Sequence, residues 1–332
     1  MKETTPLVSV LMPVYNGMPY LPLAVESILN QTFKDFEFII VDDCSNDDSL
    51  VYLQAIHDKR VVLVPLSQNK GVTGALQEGM NKVRGKYIAR LDADDIAKPD
   101  RLLKQVEYMD NNPDVGLLGS SIDLIDSSGR ILKHVNLAKN DIEIRWRMMV
   151  KNPFVHSTVM FRYELVNTHH LGYTLQYGED YKLWTELIRY SKGYISKDKL
   201  IQYRTHNQSW TFTKENEQAS ESLNIAALQL GYYIMENHNK LMGFVQWMKG
   251  QIVSKNKVEY KEMYINLLIG FLKRHHTVLD ARFIGQCLTR TRKRLGYSVL
   301  LRKDLLKIYL LFFRRRFSEI YLKQNKFLDS KK

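Results

Sequence analysis

Through the first ninety or so positions of this 332-residue chain, apolar runs too continuous for one-sided strands alternate with helical stretches. Residues 8–15 read as a buried strand, and 20–30 as a helix with Leu21, Ala24, Val25, Ile28 and Leu29 on one side. A second apolar run, 36–41, ends in Asp42 and Asp43, and a helix near 49–56 follows with capping candidates at 45–48. A strand at 61–64, a helix over 72–83 and a strand at 87–91 complete the series. Strands apolar on both faces, with helices between them, predict an α/β fold built on a mostly parallel sheet covered on both sides. Ligands of such sheets gather at the carboxyl ends of the strands. Three polar clusters fall there, at 13–16, at 42–43 and at 92–95.

The third cluster places Asp92, Asp94 and Asp95 directly after Leu91. Carboxylates this close repel one another unless something positive sits among them, and oxygen ligands favour a hard divalent ion such as Mg²⁺ or Mn²⁺. For an isolated Asp-x-Asp a solvated acidic turn is the simpler reading. Pro99, Asp100, Arg101 and Leu102 then restart the chain as a helix, with proline expected in its first turn.

Beyond residue 111 the pattern loosens. Residues 115–126 and 131–135 read as a hairpin turning at 127–130, 156–161 as a strand and 179–190 as a helix, and from about 213 onward the signal is almost wholly helical. The length suits one sizeable catalytic domain with an appendage, or two domains. Two distant cysteines, Cys44 and Cys287, indicate neither a disulfide framework nor a zinc site. With no signal-like start and no membrane-length apolar run, the expected setting is reducing and cytoplasmic. The net charge of +12 is uneven: 273–332 holds 17 Lys and Arg against 4 Asp and Glu, which leaves 1–272 at −1. The basicity belongs to the tail, so it is no argument for nucleic-acid binding by the body, and no nucleic-acid partner is expected.

Taken in order, residues 8–16, Glu26 with Ser27, 39–45, 69–71, 85–95 and 99–102 resemble the motifs of the family 2 glycosyltransferases. The likeness is strong over 7–120, moderate to about 212 and absent from the tail. It implies a GT-A fold, a nucleotide-sugar donor held with Mn²⁺ or Mg²⁺, inversion at the anomeric carbon, and a Rossmann-like sheet with a helical, basic C-terminal extension. The implied division is a catalytic domain at 1–212, with a nucleotide-sugar half (1–120) and an acceptor half (121–212), and an extension at 213–332.

On this resemblance Pro13, Tyr15, Asn16 and Asp42 hold the base, which the family makes uracil, and Asn69 and Gly71 bring backbone close to the nucleotide. Gly71 also reads as a helix-entry glycine, and Asp43 as a helix cap. Asp92 meets the ribose, or the metal through water, and Asp94 is the direct metal ligand. Asp95 has a structural reading, and Arg90 is either a donor-phosphate contact or a counter-ion. Glu179 and Asp180 resemble the family's Glu-Asp motif, with Asp180 as general base, and they also suit the first turn of a helix. Trp184 is either core or the floor of the sugar site, core being the simpler reading. His206 completes the metal shell or meets the diphosphate, Arg204 pairs a phosphate, and His156 lies near the acceptor. The acceptor is a saccharide or polyprenyl-linked saccharide in surface-glycan synthesis.

In the tail, the basic groups at 290–294 and 314–316 flank the apolar run 305–313. This suits either an interfacial helix on an anionic membrane, at the inner face of the cytoplasmic membrane, or an amphipathic helix packed on the catalytic domain. Two other classes stay open: a catalytically inactive module of the same fold that tethers glycan-assembly partners, and a nucleotidyl transferase. The acids at 92, 94 and 180 weigh against the first. The lack of a phosphate-cradling glycine loop weighs against the second.

Overall fold

The computed structural model describes residues 5–206, 215–251 and 257–275, together with 283, 286 and 287. The basic tail segments and the run at 305–313 lie outside the described residues. The alternation of the first half folds as β1 (Val8–Val14), α1 (Leu21–Leu29), β2 (Phe36–Asp42), α2 (Ser49–Gln54), β3 (Val61–Pro65), α3 (Gly71–Met80) and β4 (Tyr87–Arg90). There follow β5 (Ile96–Ala97), α4 (Arg101–Asn111), β6 (Val115–Ile125), β7 (Ile131–Val135), α5 (Asp141–Met148), β8 (Met160–Arg162), α6 (Tyr163–His169), α7 (Glu179–Tyr190) and β9 (Lys192–Arg204). Three helices come after: α8 (Glu215–Gly231), α9 (His238–Lys249) and α10 (Lys257–Arg274).

The strands join in one sheet of order β3-β2-β1-β4-β8-β6-β9-β5, with β7 on β6. Strands β3, β2, β1 and β4 run parallel. Beyond them β8 is antiparallel to both β4 and β6, while β6 and β9 are parallel. Every residue of β1 and β2 is buried because both faces are covered. Val8, Val10, Met12 and Val14 pack with α1 and α4, and Leu11 packs on the other side with Ala75 and Leu76 of α3. Each large aliphatic side chain buried this way contributes about 1.5–3 kcal/mol. The parallel register sets Val14 beside Asp42 and Leu11 beside Arg90, so the residues that follow β1, β2 and β4 converge at one end of the sheet.

Three expectations change. Pro99 precedes α4 rather than entering its first turn, since Asp100 is the N-cap and Arg101 the first helical residue. Residues 156–158 form a 3-10 turn instead of starting a strand, because Ser157 and Thr158 turn inward and bond Asp92 and the Val155 carbonyl. Helices α5 and α6 and the long strand β9 are additions: the alternation in β9 is broken by Lys197, Asp198 and Lys199.

The described residues fall into two compact units, the first ending at Ile225 and the second starting at Ala226. Ile225, within α8, is buried with the core residues of α5 and α7. In the second unit Phe244 is fully buried in α9, as are Leu268 and Phe271 in α10. No helix among the described residues is long and apolar enough to cross a membrane.

Candidate active site

A cleft of about 670 Å³ opens at the carboxyl ends of β1, β2 and β4. Of the residues expected in the site, it brings together Pro13, Tyr15, Asn16, Asn69, Gly71, Arg90, Asp92, Asp94, Glu179, Asp180 and His206. Asp42 is not among them.

At the nucleotide end three loops are laced by side chains. Asn16, at φ 51°, donates its N–H to Ser45 Oγ (3.0 Å) and accepts from the Asn46 N–H at its own Oδ1 (2.9 Å). Gly17 N–H donates to Ser49 Oγ (2.8 Å). Asp42 is fully buried; its Oδ2 accepts from the Ser45 N–H at 3.1 Å, so it shapes the loop from beneath. The cleft-lining carboxylate of this pair is Asp43. It does not cap α2, the next helix; its Oδ1 accepts from the N–H of Lys70, the residue that leads into α3, at 2.7 Å and ties the two loops together. Asn69 donates to the Asp43 carbonyl (3.2 Å) and accepts from the Gly71 N–H (3.1 Å). Gly71 sits at φ +72°, where a side chain would strain the turn into α3.

At the floor, the three acids after Leu91 have different environments. Arg90 is 1% exposed, lines the cleft and pairs with Asp92 Oδ1 as its counter-ion. Ser157 Oγ donates to Asp92 Oδ2 (2.7 Å) and accepts from the Asp92 N–H (3.0 Å), which engages the second oxygen. Asp94 Oδ2 lies 2.9 Å from His206 Nε2. Burial first, and the Asp92 charge next, push the Asp94 carboxyl above the usual carboxylate range. Asp95 is wholly buried; its Oδ1 accepts from the Arg204 N–H at 2.8 Å, and it faces away from the cleft as a support for β9.

Arg204 does not reach the cleft. Its guanidinium donates to the carbonyls of Asp94 (2.8 Å), Asp126 (2.9 Å) and Ser127 (3.1 Å), which excludes the phosphate pairing expected of it. It also lies 4.5 Å over the Tyr20 ring, and that ring is 5.0 Å from His206. Tyr20 therefore wedges the imidazole against Asp94, a role with no signal in the sequence. Asp94 and His206 offer one carboxylate and one imidazole, and no group of three or more His, Cys, Asp or Glu that could hold a metal forms among the described residues. That set fits a divalent ion that keeps waters and takes substrate phosphates as its other ligands, and a half-buried carboxylate beside the Asp92 charge is what such an ion would satisfy.

Across the cleft, α7 starts at Gly178, whose φ of +67° turns the chain so that Glu179 and Asp180 open the helix. Asp180 Oδ1 accepts from the Tyr181 N–H (2.6 Å) and Oδ2 from Asn152 Nδ2 (2.7 Å). Burial pushes the Asp180 carboxyl up to about 6. Burial and then the Asp180 charge push Glu179 up to about 8. His156 lines the same cleft, its Nε2 3.1 Å from Tyr173 OH and its Nδ1 3.9 Å from Glu179 Oε1. Burial, then the Arg90 charge, hold that imidazole well below its ordinary value and hence neutral. Trp184 is fully buried core, edge-on to His156 and Phe161. Sequence reasoning passed over Asn152, Ser157 and Tyr173, which act through partners 28, 65 and 17 residues away.

The cleft thus has a carboxylate–imidazole pair on one side and a raised-pKa carboxylate pair on the other. The family model for Glycosyl transferase family 2 matches residues 9–169. An uncharacterized glycosyltransferase of Haemophilus influenzae is 30% identical over 305 residues, covering 84% of this chain and 94% of that protein. The amylovoran biosynthesis glycosyltransferase AmsE of Erwinia amylovora is 32% identical over 257 residues, covering 70% and 94%. Among solved structures, S. aureus TarS 1-349 in complex with UDP-GlcNAc aligns with TM-score 0.58 at 13% identity, over 87% of this chain and 89% of that one. The mannosyltransferase PcManGT from Pyrobaculum calidifontis, in complex with GDP-Man and Mn²⁺, aligns with TM-score 0.52 at 13% identity, over 94% and 87%. At these identities the structural likeness is one of fold.

Proposed function

The chain belongs to glycosyl transferase family 2, GT-A-fold glycosyltransferases, and we propose that it moves a sugar from a UDP-sugar to a saccharide or polyprenyl-linked saccharide with inversion. The observation that carries this reading is a single cleft with Asp94 and His206 at one side and Asp180, oriented by two hydrogen bonds, at the other. Synthesis of a surface polysaccharide is the process we assign, supported by the amylovoran enzyme among the relatives.

In this reading the laced loops around Asn16, Asp43 and Asn69 bind the nucleoside, with Pro13 and Tyr15 beside the base. Asp94 and His206 are the residues that would hold a divalent ion, Mn²⁺ or Mg²⁺, and such an ion would supply positive charge against the leaving diphosphate. Asp92, held by Arg90 and Ser157, presents a fixed edge to the ribose. Asp180 takes the proton of the acceptor hydroxyl while its oxygen bonds the anomeric carbon. The bond from that carbon to the diphosphate oxygen breaks on the opposite face, and the nucleoside diphosphate departs. Burial raises both carboxyls and the Asp180 charge raises Glu179 further, so the pair favours a single negative charge, which we assign to Asp180. Residues 1–120 then serve the donor and 121–212 the acceptor.

The basic segment 300–332, outside the described residues, is proposed to hold the enzyme on the anionic inner face of the cytoplasmic membrane. Deleting it should release the protein from acidic liposomes, and full-length protein that ignores such liposomes would refute the attachment. For the site, Asp94→Ala should abolish nucleoside diphosphate release from the donor with Mn²⁺ present; undiminished release would refute the assignment.

A further inference from the structure

Asn152 lies in the segment between α5 and the 3-10 turn, on no motif of the chain, yet its amide is held at both ends. Its Oδ1 accepts from the Phe154 N–H at 3.0 Å. A backbone N–H can only donate, so that contact fixes which end of the amide is oxygen. The other end, Nδ2, is therefore the donor to Asp180 Oδ2 at 2.7 Å. The end of α5, from which the segment leaves, is pinned to α7 by Tyr181 OH, which donates to the Met148 carbonyl, and Tyr181 is 1% exposed. With Oδ1 of Asp180 taken by the Tyr181 N–H, each carboxylate oxygen has one donor, and the plane of the group is set.

We infer that Asn152 is a positioning residue for the general base, setting the plane in which the Asp180 carboxylate meets the acceptor hydroxyl. The inference rests on the reading of Asp180 as that base. A base must lie within hydrogen-bond reach in the right orientation before its pKa matters, and a hydrogen bond to the ionised form favours that form. The groups facing the Asp180 carboxyl are Arg90 at the end of β4, Asp92 just beyond it, Glu179 and Tyr181 on its own helix, and Tyr173 from the preceding loop. Arg90 favours the ionised form, but it is already committed to Asp92. Beside the Tyr181 N–H on Oδ1, Asn152 is the side-chain donor on Oδ2, and it acts on Asp180 without bringing a charge.

Asn152→Asp, Asn152→Ala and Asp180→Asn separate the possibilities. Asn152→Asp keeps the acceptor for the Phe154 N–H but faces Asp180 with a carboxylate in place of a donor. Both Asn152 variants are expected to lose about 10–100-fold in kcat with donor KM nearly unchanged, in full-length enzyme whose folding is checked by thermal melt. The acid limb of the pH–rate profile should move up by about one unit, further in Asn152→Asp than in Asn152→Ala. A purely structural asparagine predicts the reverse: Asn152→Asp close to wild type and only Asn152→Ala impaired. Wild-type kcat and acid limb in Asn152→Asp, with Asp180→Asn inactive, would overturn this inference alone. An Asp180→Asn enzyme that retains turnover would overturn the reading of the base and the inference with it.

Discussion

The two aspartates at 92 and 94 should differ sharply in what they contribute to stability. Arg90 is buried at 1% exposure and Asp92 is its ion-pair partner, so Asp92→Asn leaves a guanidinium charge in the interior without its nearest counter-charge. Removing one member of a buried pair costs about 3–5 kcal/mol. Asp92 keeps 35% of its side chain exposed, so water screens part of the pair and about 3 kcal/mol is the better figure. For the first unit, which ends at Ile225, that loss should lower Tm by roughly 6–12 °C, at about 2–4 °C per kcal/mol. Asp94 behaves oppositely. Its carboxyl is pushed above the usual range by burial and by Asp92, so ionising it at neutral pH costs stability, and the neutral Asp94→Asn should melt at or above the wild-type temperature. The assay is thermal unfolding of both variants near neutral pH without divalent metal. An Asp92→Asn Tm within about 1 °C of wild type, or an equal loss in Asp94→Asn, would refute the reasoning.

Glu179 and Asp180 make ligand-free stability pH-dependent. Their raised values stabilise the fold below the unfolded-chain values of 4.5 and 3.8, and that contribution is lost as pH rises through about 6 for Asp180 and about 8 for Glu179. Tm should therefore fall across this window, and Glu179→Gln should remove the upper part of the fall; a wild-type Tm that rises there contradicts the burial of the pair. Turnover should climb through the same pH of about 6 as Asp180 ionises. Asp43→Ala removes the acceptor of the Lys70 N–H and should weaken donor binding about tenfold or more by calorimetry, with kcat little changed. Chelation with EDTA should abolish turnover, and His206→Ala should raise the Mn²⁺ needed for half-maximal rate about tenfold or more; a metal titration unchanged from wild type would remove His206 from the ion's shell.

What could be read from the chain was what depends on local pattern. The continuous burial of β1 and β2 follows from apolar residues on both faces, and α7 spans the residues its pattern marked. Reading failed where a residue's partner lies far along the chain. Ser157 leaves the strand pattern because Asp92, 65 residues earlier, draws its hydroxyl inward. Asp42 and Asp43 are adjacent carboxylates and both are buried, and only the alternation of side chains at the end of β2 turns Asp43 rather than Asp42 to the cleft. Arg204 looks like a phosphate ligand until three carbonyls of distant segments are seen to use it. Asn152 carries no motif at all, and its place beside Asp180 exists only once the segment after α5 is folded against α7.

The central claim is a single displacement in which Asp180 deprotonates the attacking oxygen on the face opposite the diphosphate. Time-resolved proton NMR of slow donor hydrolysis tests it without knowledge of the acceptor, because water then takes the acceptor's place. With a UDP-α-sugar the account predicts that the first free sugar to appear is the β anomer, ahead of mutarotation. Release of the α anomer first would contradict it.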